Sequence, residues 1–288
     1  MPQLSRHSSV QPPSHRDPKY RKSQLIRQYV SLLRSTPLII LFQHNNLKAM
    51  EWAGIRRELT KSLQKVDEQL LAQGSDPASI IGSAVRLEVI KTNMFEPALR
   101  IADYYNPSQL TPAITGSQGM RSVQDDPALT HALSEAAYKA IQNKRNQHPL
   151  TPLLSGSIAA LTFPSVSPQH VKAALSVLSP KTPTFPAPTR RANPSYYELP
   201  VQDGLKKLLL LGARIDRQVF DMEGTRWVGG IDGGIDGLRA QLVMMLQGFS
   251  GGLAMTLESA SRNLWFTMEG RRRAMEDEGK EDKSEAAS

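Results

Sequence analysis

Leu38-Ile39-Ile40-Leu41-Phe42 is a short run of large apolar residues. It is preceded by Pro37 and followed by His44-Asn45-Asn46. A run of this length closed off by such residues reads as a fully buried β-strand, because a half-exposed strand would alternate with polar residues. The residues on either side are helical in pattern. From Pro18 to Arg34, the positions Leu25, Ile26, Val30, Leu32 and Leu33 form one apolar face. Over residues 47–72, Met50, Ala53, Gly54, Leu59, Leu63, Val66, Leu70 and Leu71 form another, and Arg56, Arg57, Lys61 and Lys65 project from its other side.

The same logic extends along the chain. Residues 84–90 alternate through Val85, Leu87 and Val89 and read as a second strand, followed by a Lys91-Thr92-Asn93 turn and a helix over 94–105. Residues 106–153 read as an irregular insertion with a helix near 127–145, and residues 157–163 as a third strand. Ser167 and Pro168 open a helix through Leu178 as N-cap and first residue. A proline-rich loop fills 179–200. One or two strands lie around Gly212, with residues 205–213 read as buried strand. Alternating helices and strands predict an α/β class, with a compact N-terminal domain around a central mixed sheet and a helical C-terminal extension. The expected divisions are a basic segment at 1–17 (disordered, or a transit segment), an α/β domain over 18–230, hinge and helices over 231–275, and an acidic disordered tail at 276–288. No internal repeat is read.

Composition narrows the function. The net charge is +8, and the acids of the tail (Glu276, Asp277, Glu278, Glu281, Asp282, Glu285) leave a body of about +12, which favours a polyanionic partner such as nucleic acid. The chain has no cysteine, which excludes disulfides, thiolate nucleophiles and Cys-based zinc sites. No apolar run approaches the roughly 20 residues of a bilayer span, so no membrane span is expected. The N-terminus is poor in acids and rich in Ser and Arg, as mitochondrial transit segments are.

Catalytic signals are thin. Trp227–Gly237 is glycine-rich but matches neither a dinucleotide fingerprint nor a P-loop, and Asp232 and Asp236 would repel phosphate. It reads as a hinge with Asp236 as helix N-cap. The alternative is an α/β enzyme that holds a phosphorylated ligand at Gly229–Gly237. The six histidines have no metal-ligand spacing, and each reads as a surface residue. No metal or cofactor is expected. Beyond Gly248, which is read as breaking the helix, Leu253, Leu257, Ala260, Leu264 and Met268 form a helical stripe that Trp265 and Phe266 widen. Such a stripe needs its own domain, a protein partner or a membrane surface to cover it.

In this order, four segments resemble the ribosomal stalk-base family, called L ten in bacteria and P zero in eukaryotes. They are Leu38–Phe42 with Gly54-Ile55-Arg56-Arg57-Glu58-Leu59; Val89-Ile90-Lys91-Thr92-Asn93-Met94; residues 156–163; and residues 208–220 with 235–246. Thr92 stands where the family has Asn, with Asn93 one place later. The resemblance implies a non-enzymatic component of the large subunit, here of the mitochondrial ribosome in the matrix. It implies large-subunit rRNA contacts through Arg21, Lys22, Arg56, Arg57, Lys61, Lys91 and Asn93. An L eleven-type ribosomal protein would be a neighbour. Leu253, Leu257, Leu264, Trp265 and Met268 would carry acidic stalk protein dimers, which recruit translational GTPases, and Gly248 to Gly252 would be the hinge of that helix.

Overall fold

The computed structural model describes residues 15–17, 19–74, 80–105, 132–142, 144, 147–231 and 233–285. It divides into two units, Met1–Asp232 and Gly233–Ser288. Most of the expected transit segment and most of the 106–153 insertion lie outside the described residues.

The first unit is built on a five-stranded sheet of order β2-β3-β1-β4-β5: β1 (Leu38–His44), β2 (Arg86–Ile90), β3 (Ile158–Phe163), β4 (Leu208–Ile215) and β5 (Gln218–Asp221). The central apolar run is β1, buried throughout Leu38–Phe42. Its side chains alternate between two cores. Leu38, Ile40 and Phe42 pack with α2 (Ala49–Ala72), α5 (Pro168–Leu178) and α6 (Leu199–Lys206). Ile39 and Leu41 pack on the other face with α1 (Arg21–Ser35), α3 (Thr92–Tyr104) and α4 (Glu135–Gln142). Covering both faces explains why the strand shows no polar alternation.

Several expectations need correction. All four strand pairings are antiparallel, so the sheet is not mixed. Leu205 and Lys206 end α6 and do not belong to a strand. The break between β4 and β5 is not at Gly212 but at Asp216-Arg217, both at positive φ (46° and 70°), as a two-residue hairpin turn of this twist requires. Gly212 sits within the ladder, where a Cβ would stand 2.5 Å from the Phe220 carbonyl oxygen. Beside it the pairing steps from Leu41↔Gly212 to Phe42↔Leu210, a bulge that leaves Leu211 without a partner on β1. Lys91 is not in a turn but is the N-cap residue of α3.

The glycine-rich stretch is also largely helical. α7 (Met222–Gly229) ends at Gly229, where a Cβ would meet Val171, Leu175 and Phe185 at 3.1–3.2 Å. Gly229 therefore serves close packing and not an anion cradle. Asp236 lies inside the first turn of the next helix and is not its N-cap.

The second unit is a single helix, α8 (Gly234–Glu285). It runs through Gly248, Gly251 and Gly252 without interruption, so the expected hinge is absent, and it continues through the acidic segment to Glu285. It is uncharged from Ala240 to Leu257. Among the described residues it is the one helix long and apolar enough, by length and composition only, to cross a membrane. Reading only continuous apolar runs missed this.

Candidate functional site

The seven cations and amides expected to meet RNA fall in three places. Arg56, Arg57 and Lys61 lie on α2, on one face of the sheet, and Arg21 and Lys22 open α1 on the other. The two helices are therefore not neighbours. Lys91 and Asn93 begin α3 on the α1 side, where Asn93 and Ser23 line one cavity. The openings of α1 and α3 thus border each other, and the α2 row stands apart.

The α2 side chains differ in how free they are. Arg57 donates to Glu58 (3.1 Å) and Glu198 (2.7 Å), and Lys61 donates to Glu58 (3.3 Å) and Ser195 (2.9 Å). These contacts tie α2 to the loop before α6. Burial pushes the Glu58 carboxyl up, but hydrogen bonds from Ser195, Arg57 and Lys61 outweigh it and hold the group below its usual range. Arg56 instead donates to the Leu87 carbonyl (3.1 Å) and lies over the Trp52 ring. It shares a cleft of about 290 Å³ with Arg86 of edge strand β2, a residue that the sequence reading passed over. Arg21, Lys22, Lys91 and Asn93 are exposed.

Two histidines prove to be buried and not surface residues. His170 bridges Ser167 Oγ (2.7 Å) and Asp67 Oδ1 (2.8 Å), and Asp67 also accepts the Gly82 N–H. This recruits the hydroxyl expected to cap α5. His148 Nδ1 accepts the Leu150 N–H, so its Nε2–H faces Asp103 (2.8 Å), whose other oxygen pairs with Arg214. His170 is fully buried and His148 nearly so, and both act as ties between elements. Among the described residues no cluster of metal-ligating side chains occurs.

α8 presents a different surface. Leu253, Leu257, Leu264, Trp265 and Met268 are all between 60% and 74% exposed. They belong to a larger pattern. Leu242-Val243-Met244-Met245-Leu246-Gln247-Gly248, Leu253-Ala254-Met255-Thr256-Leu257-Glu258-Ser259 and Leu264-Trp265-Phe266-Thr267-Met268-Glu269-Gly270 align at a spacing of eleven residues. Each has Leu first, Met or Phe third, Leu or Met fifth, Gln or Glu sixth, and Gly or Ser seventh. The expectation of no internal repeat is therefore wrong, and comparing the chain with itself at an offset of eleven would have found it. Because eleven residues are close to three turns, equivalent positions of the three copies line up along the helix, the first and fifth residues on one side and the third on the other.

The family model for the C-terminal domain of the large ribosomal subunit protein uL10m matches residues 235–273. This is a match to a mitochondrial large-subunit ribosomal domain within α8. The match spans all three repeats. The match supports a mitochondrial large-subunit ribosomal protein, located in the ribosome of the mitochondrial matrix, with a structural and not an enzymatic role. The phosphorylated-ligand enzyme reading is superseded.

Proposed function

We propose that the first unit binds large-subunit rRNA, beside an L eleven-type protein, and that α8 anchors acidic stalk protein dimers that recruit translational GTPases. The repeat carries this reading. Three copies of one apolar pattern suit three copies of one partner, each docked through the first and fifth residues, Leu and Leu/Met, which share one side of the helix as an i,i+4 pair. The RNA reading is supported by the basic body and by the cations at the two sites, with Arg21, Lys22, Lys91 and Asn93 around the α1 and α3 openings and Arg56, Arg57 and Lys61 along α2. Guanidinium and ammonium groups bind phosphate, and an Asn beside them reaches a 2′-hydroxyl or base edge.

Native mass spectrometry of the full chain co-expressed with the matching stalk protein tests the α8 reading. The expected result is three dimers on the wild type and two on Leu253→Glu/Leu257→Glu. Absence of stalk protein, or an unchanged count in that variant, rejects it. Flotation of the same protein with liposomes checks the competing use of the apolar face, contact with lipid.

A further inference from the structure

A third cationic site lies where no RNA contact was expected. At the start of β1 a cleft of about 200 Å³ is lined by Arg34 of α1, Arg214 of β4 and Arg217 of the β4–β5 turn, with Thr36 and Asp216 beside them. Arg214 forms the floor and is 3% exposed. One of its nitrogens donates to the Leu33 carbonyl (3.2 Å), a second pairs with Asp103, and its Nε has no partner. Arg34 donates to the Tyr105 carbonyl at 3.4 Å. Among the described residues neither Arg34 nor Arg217 is ion-paired. Three arginines thus line the cleft, with the Asp216 carboxylate among them and Asp103 paired to Arg214 from outside the lining.

The backbone adds an independent observation. Arg217 holds φ +70°, a conformation that Asn or Gly adopts at lower cost. The turn is pinned by the Asp216 N–H donating to the Pro37 carbonyl (2.9 Å). The hairpin turn itself demands this conformation, so what calls for a use is the choice of Arg where Asn or Gly is usual.

We propose that this cleft is a phosphate-binding site, and that it takes a backbone phosphate of RNA. The phosphate chemistry stands on the arginines; the RNA source rests on the RNA-binding reading above. Guanidinium forks match phosphate oxygens in pairs, and Arg214, buried beneath the cleft, adds its charge to that of Arg34 and Arg217. Leu38 pairs with Phe163 and Ile215, whereas Ile90 pairs with Ile158, so the cleft lies at the opposite end of the sheet from Lys91. RNA held at both sites would grip the sheet at its two ends.

The test compares wild-type full chain with Arg34→Gln/Arg217→Gly. Replacing Arg217 by Gly removes the guanidinium and relieves the backbone, and Arg217→Gly alone, with a melting temperature equal to or above wild type, serves as the folding control. Binding to large-subunit rRNA is followed by fluorescence anisotropy across a salt series. Thermal protection by inorganic phosphate is read against chloride at equal ionic strength. The proposal expects RNA binding to weaken about tenfold in the double variant, with a salt slope shallower by about one to two contacts. It also expects phosphate to protect the wild type and not the double variant. If the wild type binds no RNA but shows arginine-dependent phosphate protection, the RNA-binding reading falls and the phosphate site stands. No arginine-dependent phosphate protection, together with unchanged RNA affinity and slope, overturns the proposal. Unchanged RNA binding with loss of an acidic protein neighbour from the variant's particle also overturns it, in favour of a carboxylate occupant.

Discussion

Asp103 shows how one side chain organises the face of the sheet that carries α1 and α3. Burial pushes its carboxyl up, but hydrogen bonds from His148 and Arg214 outweigh that and hold it below its ordinary range. A carboxyl depressed in the folded state adds stability at pH values above its unfolded pKa, near 4. That contribution is lost as the pH falls through the lower folded value. Asp103→Asn should therefore cost about 3 kcal/mol near pH 7, because it leaves Arg214 buried without its counter-charge. Urea unfolding at pH 7, 5 and 3 should show the difference between variant and wild type narrowing towards pH 3; a gap that does not change with pH would refute this account. None of this network was legible in the sequence. Its members lie on α3, on β4 and before β3, and pairing across such separations is set by topology. His170 was misread as a surface residue for the same reason, since Asp67 lies on a different helix. What could be read at this scale was residue type: the exposed positions of Arg21, Lys22, Lys91 and Asn93 agree with their charge or polarity.

At the scale of elements, apolar pattern located β1 and β3 because both are continuous runs buried on both faces. The misreadings arose where local propensity was weighed alone. Three glycines within Gly248–Gly252 suggested a break, since each costs roughly 1 kcal/mol against alanine within a helix. Once a helix is nucleated, however, each further residue adds a hydrogen bond, and α8 propagates through them. Its glycines have open space around them, so a methyl group meets no obstacle. Gly251→Ala/Gly252→Ala should thus stabilise this stretch by about 2 kcal/mol, seen as roughly tenfold or greater slowing of amide exchange over residues 248–256. Faster or unchanged exchange would mean that the glycines serve another purpose. At the β4–β5 turn the sequence signal was weak because Asp-Arg is not one of the usual pairs for such a turn.

For the whole molecule, charge separates the two proposed roles better than any motif does: a basic body and a helix that is uncharged from Ala240 to Leu257 suit different partners. The α2 row belongs to this scale, because its effect is felt as a field over a surface. Arg56→Ala/Arg57→Ala/Lys61→Ala should weaken rRNA binding and reduce its salt slope, most through Arg56, since Arg57 and Lys61 already face Glu58 and Glu198. Anisotropy titrations over 50–200 mM salt check this, and parallel curves for variant and wild type would count against the α2 surface. The two sheet faces were not separable from sequence. Only the crossing of β1 between two cores shows that α1 and α2 cannot share one patch.

The eleven-residue spacing in α8 sets a geometry for whatever binds there. Successive repeats lie roughly 16 Å apart along the axis and turn by only about 20°. Occupants would leave the helix as a row on one side, closer together than the width of a small folded domain. Adjacent occupants must then be slender where they dock, or must touch each other. If they touch, filling one position favours filling the next, and silencing the middle repeat costs more occupancy than silencing either end.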